Sequence, residues 1–268
     1  MNIDKLTQRK LLSVAGGLLI GLTSVSAQAG PMAIWSSDGW TAMTLTTAGE
    51  DGQVGPGGGG QPFDAEGLYF KQSGSLLSIG LQAGFNLETG YQWNSVSPND
   101  YYAGDLAISF DGTGDSGNAS SFEYGVDFGF ETRDYDLDLV DMGSGTGIDA
   151  AGFYSVSSWN EDVYTNHGAA SPFAIDGGSL VSALETNAWS SEVVGGDLSY
   201  SRIVTFDIAS LGLSGNAGLD VHWTMNCGND FINGSTTLSS VSEPSIISLM
   251  MLSMLMIGWT GRRRKQVA

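Results

Sequence analysis

Between Gly30 and Ser242 the apolar residues alternate with polar ones over short runs, and a 3.6-residue period is nearly absent. The runs are Trp40–Thr46, Gly67–Lys71, Leu76–Asn86, Gly104–Asp111, Phe122–Phe130, Tyr135–Val140, Gly152–Val156, Arg202–Ile208 and Leu219–Met225, each bounded by Gly, Asn, Asp or Ser. Side chains two apart share one face of a strand, so this pattern predicts strands of about five residues separated by turns. An all-β, jelly-roll-like β-sandwich over residues 30–234 follows. One weak helix is expected, at Asp207–Leu211 or at Ser179–Glu185. The run Gly55-Pro56-Gly57-Gly58-Gly59-Gly60 reads as a flexible loop, since it lacks the Lys and following helix of a phosphate-binding loop. Residues Ser235–Val241 are polar and small and read as a stalk.

The chain ends break this pattern. Lys5, Arg9 and Lys10 precede the apolar stretch Leu11–Leu22, and Ala27-Gln28-Ala29 offers small residues before Gly30. Basic, apolar and small-residue regions in that order predict a signal peptide over residues 1–29, cut by signal peptidase between Ala29 and Gly30. At the other end, Ser242-Glu243-Pro244-Ser245 leads into the uncharged stretch Ile246–Trp259 and then Gly261-Arg262-Arg263-Arg264-Lys265. A helix of roughly 14 residues spans about 21 Å, against a hydrocarbon core of about 30 Å. Such a segment is a strained membrane span, suited to transient inner-membrane insertion. Arg262, Arg263 and Arg264 would remain cytoplasmic, and Pro244 breaks the helix at its start. A buried core helix would show a polar face, and here only Ser248 and Ser253 interrupt the apolar surface.

Glu-Pro, short hydrophobic helix and terminal basic cluster, over residues 242–268, resemble the PEP-CTERM sorting signal recognised by exosortases in Gram-negative bacteria. Ser242 stands where that signal usually has its first Pro. A second set of segments is similar to exosortase-dependent surface proteins. They are Gly60-Gln61-Pro62-Phe63-Asp64-Ala65-Glu66-Gly67-Leu68-Tyr69-Phe70, Leu81–Phe85, Gly104–Phe110, Tyr124-Gly125-Val126-Asp127 and His222–Asp230. The resemblance implies processing by an exosortase near Glu243 and Pro244. It also implies an inner-membrane-held precursor and a final place at the cell surface or outside the cell. It implies location and architecture rather than chemistry.

Charge narrows the choice of partner. From Gly30 to Ser242 only Lys71, Arg133 and Arg202 are basic against 27 acidic residues, a formal charge of −24. Such a surface repels nucleic acid and attracts cations. The aromatic and branched aliphatic content is enough for an ordered core. Cys227 is the only cysteine of the chain, so no intramolecular disulfide forms and stability rests on packing.

Several groups are candidates for chemistry. Asp134, Asp136 and Asp138 would line one face of a strand and could bind Ca²⁺, or form a solvated outer face over inward Tyr135, Leu137 and Leu139. Asp111–Asn118 is rich in oxygen ligands but equally suits a hairpin turn. Asp64 and Glu66 lie two apart beside Leu68 and Phe70, placed to turn inward and pair with Lys71 or a backbone amide, or to serve as a ligand or a catalytic pair. His222 and Cys227 fall on opposite faces of an extended strand, which disfavours a cysteine hydrolase. Two histidines and one cysteine match no zinc-site spacing, and no G-x-S-x-G, H-E-x-x-H or dinucleotide motif is present. Trp93, Tyr101, Tyr102, Tyr154, Trp159, Tyr164 and Trp189 sit in or near polar loops, where they would stack on sugars or else belong to the core. The expected function is non-enzymatic and without a cofactor: a surface or matrix protein meeting extracellular polysaccharide or other surface proteins. A Ca²⁺-dependent carbohydrate-binding module and a secreted hydrolase are the alternatives.

Overall fold

Leu77, Ile79, Leu81 and Ala83 take every second position of one strand, and all four are fully buried. The intervening Ser78, Gly80 and Gln82 are buried as well, so both faces of this strand are covered and it is the apolar side chains, facing the core, that recur at period two. The computed structural model describes residues 30–37, 39–45, 60–94, 99–133, 147–163, 170–213 and 216–239. The strands are β1 (Thr41–Ala42), β2 (Thr44–Leu45), β3 (Ala65–Ser73), β4 (Leu76–Ala83), β5 (Tyr91–Asn94), β6 (Asn99–Tyr102) and β7 (Leu106–Ser109). They continue with β8 (Tyr124–Asp127), β9 (Gly152–Asn160), β10 (Ala174–Ser182), β11 (Thr186–Val194), β12 (Asp197–Asp207), β13 (Gly218–Thr224) and β14 (Phe231–Thr237).

A five-stranded sheet has the order β1-β3-β4-β12-β11, a seven-stranded sheet the order β10-β9-β8-β7-β13-β14-β2, and β5 pairs with β6 alone. The ladders are antiparallel. The protein is all-β, with no helix of seven residues or more among the described residues, and the arrangement is consistent with a β-sandwich. No helix among those residues is long and apolar enough to cross a membrane.

One apolar cluster joins the inward residues of both sheets: Ile79, Leu81, Val204 and Phe206 from the first, Leu106, Ile108, Val126, Phe153, Val221 and Trp223 from the second. Phe153 stacks on Phe206 across it, with ring centroids 4.3 Å apart. Trp223 buries its indole completely and keeps its N–H satisfied by donating to the Gly104 carbonyl at 3.0 Å. The chain passes from sheet to sheet at both lateral margins. Met43 alone separates β1 from β2, and residues 183–185 separate β10 from β11. The β11–β12 turn uses Gly195 and Gly196 at φ 66° and 110°, a left-handed pair that favours glycine.

The structure departs from the sequence pattern in several places. Ser179–Ser182 ends β10 instead of opening a helix, and the other helical candidate shrinks to a single 3-10 turn at Ala209–Leu211. Ser235–Thr237 is not stalk but the last part of β14, paired with Gly218–Asp220. Leu238 is buried after it. Strands β5, β6, β10, β11 and β14 have no counterpart among the alternating runs. The signal-peptide segment, the sorting tail and the Tyr135–Val140 run lie outside the described residues.

Candidate functional site

The β5–β6 hairpin carries an aromatic surface. Its register sets Tyr91 opposite Tyr102 and Trp93 opposite Asp100, and residues opposite one another share a face. Trp93 is half exposed and Tyr91 is also open to solvent. The Tyr91 hydroxyl donates to Asp100 Oδ1 at 2.6 Å, and this bond to a carboxylate pushes the phenol up to about 12. The Tyr91 and Tyr102 rings meet edge to face at 5.7 Å, and the Arg133 guanidinium lies 5.7 Å from the Tyr102 ring centre. Arg133 also pairs with Glu131 at 2.6 Å.

On the opposite hairpin face Tyr101 is buried against Phe63, 5.0 Å between rings. The base is pinned by Asn226: the Tyr102 amide donates to its Oδ1 at 3.1 Å and the Asn226 amide donates to the Tyr102 carbonyl at 3.0 Å. Fixed aromatic faces beside a carboxylate and a guanidinium suit a ring with one apolar face and hydroxyls at its rim.

Carboxylates are buried on the outer sides of both sheets. Over the five-stranded sheet, Glu66 accepts from Gln61 Nε2 at 2.6 Å, Gln82 Nε2 at 2.5 Å and Ser199 Oγ at 2.8 Å. Gln82 also accepts from the Trp35 indole at 2.7 Å and the Met32 amide at 3.0 Å, and donates to the Gly30 carbonyl at 3.0 Å. Burial raises the Glu66 carboxyl, and those three donors oppose the shift.

Over the seven-stranded sheet, the pairing Leu106↔Val126 sets Asp105 opposite Asp127 one position on. Asp105 Oδ2 accepts from the Ile175 amide at 2.9 Å. Asp127 Oδ1 accepts from the Gly129 amide at 2.5 Å, while its Oδ2 is buried with no hydrogen-bond partner. Burial, reinforced by the charge of Asp127, holds Asp105 well above the usual carboxylate range. Burial, with Asp149 nearby, lifts Asp127 to about 7 against hydrogen bonds from the Gly129 and Ala150 backbone. Asp149 accepts from the Thr132 amide and hydroxyl, both at 3.0 Å.

The residues singled out in the sequence are distributed unevenly over these features. Glu66 is buried, but on the outer side of its sheet instead of in the core, and binds side-chain amides and a hydroxyl rather than Lys71, whose ammonium lies 5.2 Å from the Trp40 ring centre. Asp111 folds back on its own turn, accepting from Thr113 N, Thr113 Oγ1 and Ser109 Oγ at 2.8, 2.5 and 2.8 Å. His222 on β13 and Cys227 in the turn that follows it are both fully buried, Cys227 within the apolar cluster between the sheets. Burial drives His222 down to about 4 and Cys227 up to about 12, so a neutral imidazole and a protonated thiol are favoured.

Tyr101 and Tyr154 are buried, which removes them from the set of exposed aromatics, and the half-buried Trp159 spends its N–H on the Phe122 carbonyl at 2.9 Å. Trp189 is exposed on β11. Gly30 is described through its carbonyl. Ala29, Asp134, Asp136, Asp138, Tyr164, Glu243, Pro244, Arg262, Arg263 and Arg264 lie outside the described residues. Tyr91 and Asp100 escaped the sequence reading, although Tyr91-x-Trp93 followed by Asp100-Tyr101-Tyr102 is a compact hairpin signal.

A recess of about 200 Å³ opens between Ser116, Phe122, Asp220 and Asn233. Its polar lining is the carboxylates of Asp115 and Asp220, the Ser116 hydroxyl and the Asn233 amide. Among the described residues no set of three or more His, Cys, Asp or Glu side chains forms a ready-made metal cage. No protein-family model, no curated protein and no solved structure matches the chain.

Proposed function

We propose that this protein is an exported, exosortase-processed, non-enzymatic surface or matrix protein whose jelly-roll-like ectodomain binds extracellular polysaccharide. The observation that carries the binding half is the hairpin face of exposed Tyr91 and Trp93 and half-buried Tyr102, with Asp100 and Arg133 at its edge. Trp and Tyr give large apolar contact with little loss of rotamer freedom, as binding surfaces require. The formal charge of −24 between Gly30 and Ser242 favours neutral or cationic polymers over anionic ones.

The export half rests on the two chain ends. Signal peptidase would cut after Ala29. The segment from Glu243 to Lys265 would then hold the precursor in the inner membrane, its Arg262, Arg263 and Arg264 on the cytoplasmic side, until exosortase acts near Glu243-Pro244.

The test is a glycan array probed with the full chain and with Trp93→Ala. Binding of a neutral or amino-sugar polymer, weakened tenfold or more in the variant with unchanged thermal unfolding, is the expected result. Equal binding by both proteins removes the hairpin from the account. For the sorting half, replacing Glu243 and Pro244 should leave an uncut, membrane-held precursor, and a product of unchanged size and location would refute exosortase processing.

A further inference from the structure

Asp105 immediately precedes β7 and Asp127 ends β8, so the register Leu106↔Val126, continued by one position, brings the two carboxylates across from one another, and the charge of Asp127 bears on Asp105. Like charges so placed destabilise a sheet unless something neutralises them. Both side chains are almost completely withdrawn from solvent. Their hydrogen bonds come from backbone amides, Ile175 on Asp105 and Gly129 on Asp127 Oδ1. The Ala150 backbone also lies near the Asp127 carboxylate but makes no hydrogen bond to Oδ2, and no Lys or Arg side chain bonds either residue. The three basic residues of the exported part are engaged elsewhere. Lys71 lies by Trp40, Arg133 pairs with Glu131, and Arg202 is held by Asn187 and by the carbonyls of Leu87 and Phe128. One oxygen of the pair, Asp127 Oδ2, is buried without a donor. A buried anionic oxygen in a native fold is paired with a donor, a proton or a cation.

We propose that Asp105 and Asp127 form a calcium site, with one Ca²⁺ seated between their carboxylates on the outer side of the seven-stranded sheet and Asp149 at its rim. Two carboxylates balance the double charge of the ion. Ca²⁺ accepts six to eight oxygens in flexible geometry and takes the remainder from backbone carbonyls and water, so a third carboxylate in direct contact is not required. Asp134, Asp136 and Asp138 are not among its proposed ligands. Asp105 follows the aromatic hairpin by three residues and Thr132, bonded to Asp149, precedes Arg133, so a bound ion would brace the strand ends from which the hairpin face is built. The proposal does not depend on export or on polysaccharide binding.

The experiment is thermal unfolding of the full chain after chelation with EDTA, then with CaCl₂ added. A saturable rise of several degrees is expected, because a ligand that binds only the folded state stabilises it by mass action. The rise should vanish in Asp105→Asn/Asp127→Asn and persist in Asp134→Asn/Asp136→Asn/Asp138→Asn. The reverse pattern, or no rise in the native protein, overturns the site. Stabilisation of the chelated protein by acid with none by Ca²⁺ identifies a shared proton instead and equally overturns it.

If the double variant does not fold, Tb³⁺ bound to the unaltered protein provides the second reading. Tyr154, paired with Gly125 two positions before Asp127, should sensitise its emission. Displacement by Ca²⁺ and dimming in Tyr154→Phe support the site. Emission unchanged by either refutes it.

Discussion

The two sheets bury carboxylates on their outer sides and treat them in opposite ways. Glu66 sits under the N-terminal segment with three neutral donors on its two oxygens, and its chief donor, Gln82, is itself tied to Trp35, Met32 and Gly30. Asp127 faces a second carboxylate and keeps one oxygen without a donor. Both are buried, and neither has a cationic side chain as partner. Burial alone therefore does not distinguish a structural acid from a ligand-seeking one. What distinguishes them is whether the fold supplies donors to every oxygen.

Removing a donor from the satisfied site should hurt most. Gln82→Leu strips the best-placed donor from a buried carboxylate and leaves the Trp35 indole and the Met32 amide without an acceptor, so a loss of about 3 kcal/mol is expected in the urea midpoint. A loss under about 1 kcal/mol would mean that water replaces the amide freely.

The unsatisfied site responds to pH instead. Asp127 is raised from 3.8 to about 7 on folding, so the folded state holds its proton more tightly than the unfolded one. Stability from this group is full below 3.8 and is lost as pH rises through about 7. In chelator, wild type should therefore lose stability relative to Asp127→Asn over that interval, the difference belonging to the Asp105–Asp127 pair, since removing the Asp127 charge also eases Asp105. His222, lowered from 6.5 to about 4, has the opposite slope, with its stability lost as pH falls, but it is common to both proteins and cancels in the difference. A flat difference would show that Asp127 titrates normally in the fold. The smallest change is Ser199→Ala, which removes one of three donors to Glu66 and should cost about 1 kcal/mol in the same unfolding experiment.

Where one face of a strand meets the core, as in β4 and β13, alternation of residues such as Leu77, Ile79, Leu81 and Leu219, Val221, Trp223 was legible from the sequence. The alternation does not extend to Cys227, because β13 ends at Thr224 and Cys227 lies in the following turn. Strands β10 and β11 were not legible because they are edge strands whose side chains are mostly exposed, with Gly177, Gly178, Ser190 and Ser191 at positions no core selects. The β5–β6 hairpin was too short for alternation to stand out, though its aromatic residues were noticed singly.

The Asp105–Asp127 pair was hidden for another reason. Twenty-two residues separate the two, and only the register Leu106↔Val126 brings them opposite one another. The Glu66 network likewise depends on Ser199, 133 residues away. Such pairings are products of topology, and local patterns of charge do not encode them.

The end of β14 has a mechanical consequence. Gln72, on β3, donates to the Ser239 carbonyl at 3.0 Å and accepts from the Ser239 amide at 2.9 Å, so one side chain imitates a strand partner. The Leu238 amide is bonded to the Ala217 carbonyl one residue earlier. The chain is thus clipped to both sheets immediately before it runs on toward the C-terminus. A pull on that end would load both layers together, and the clasp would have to fail before β14 could be peeled from its neighbours.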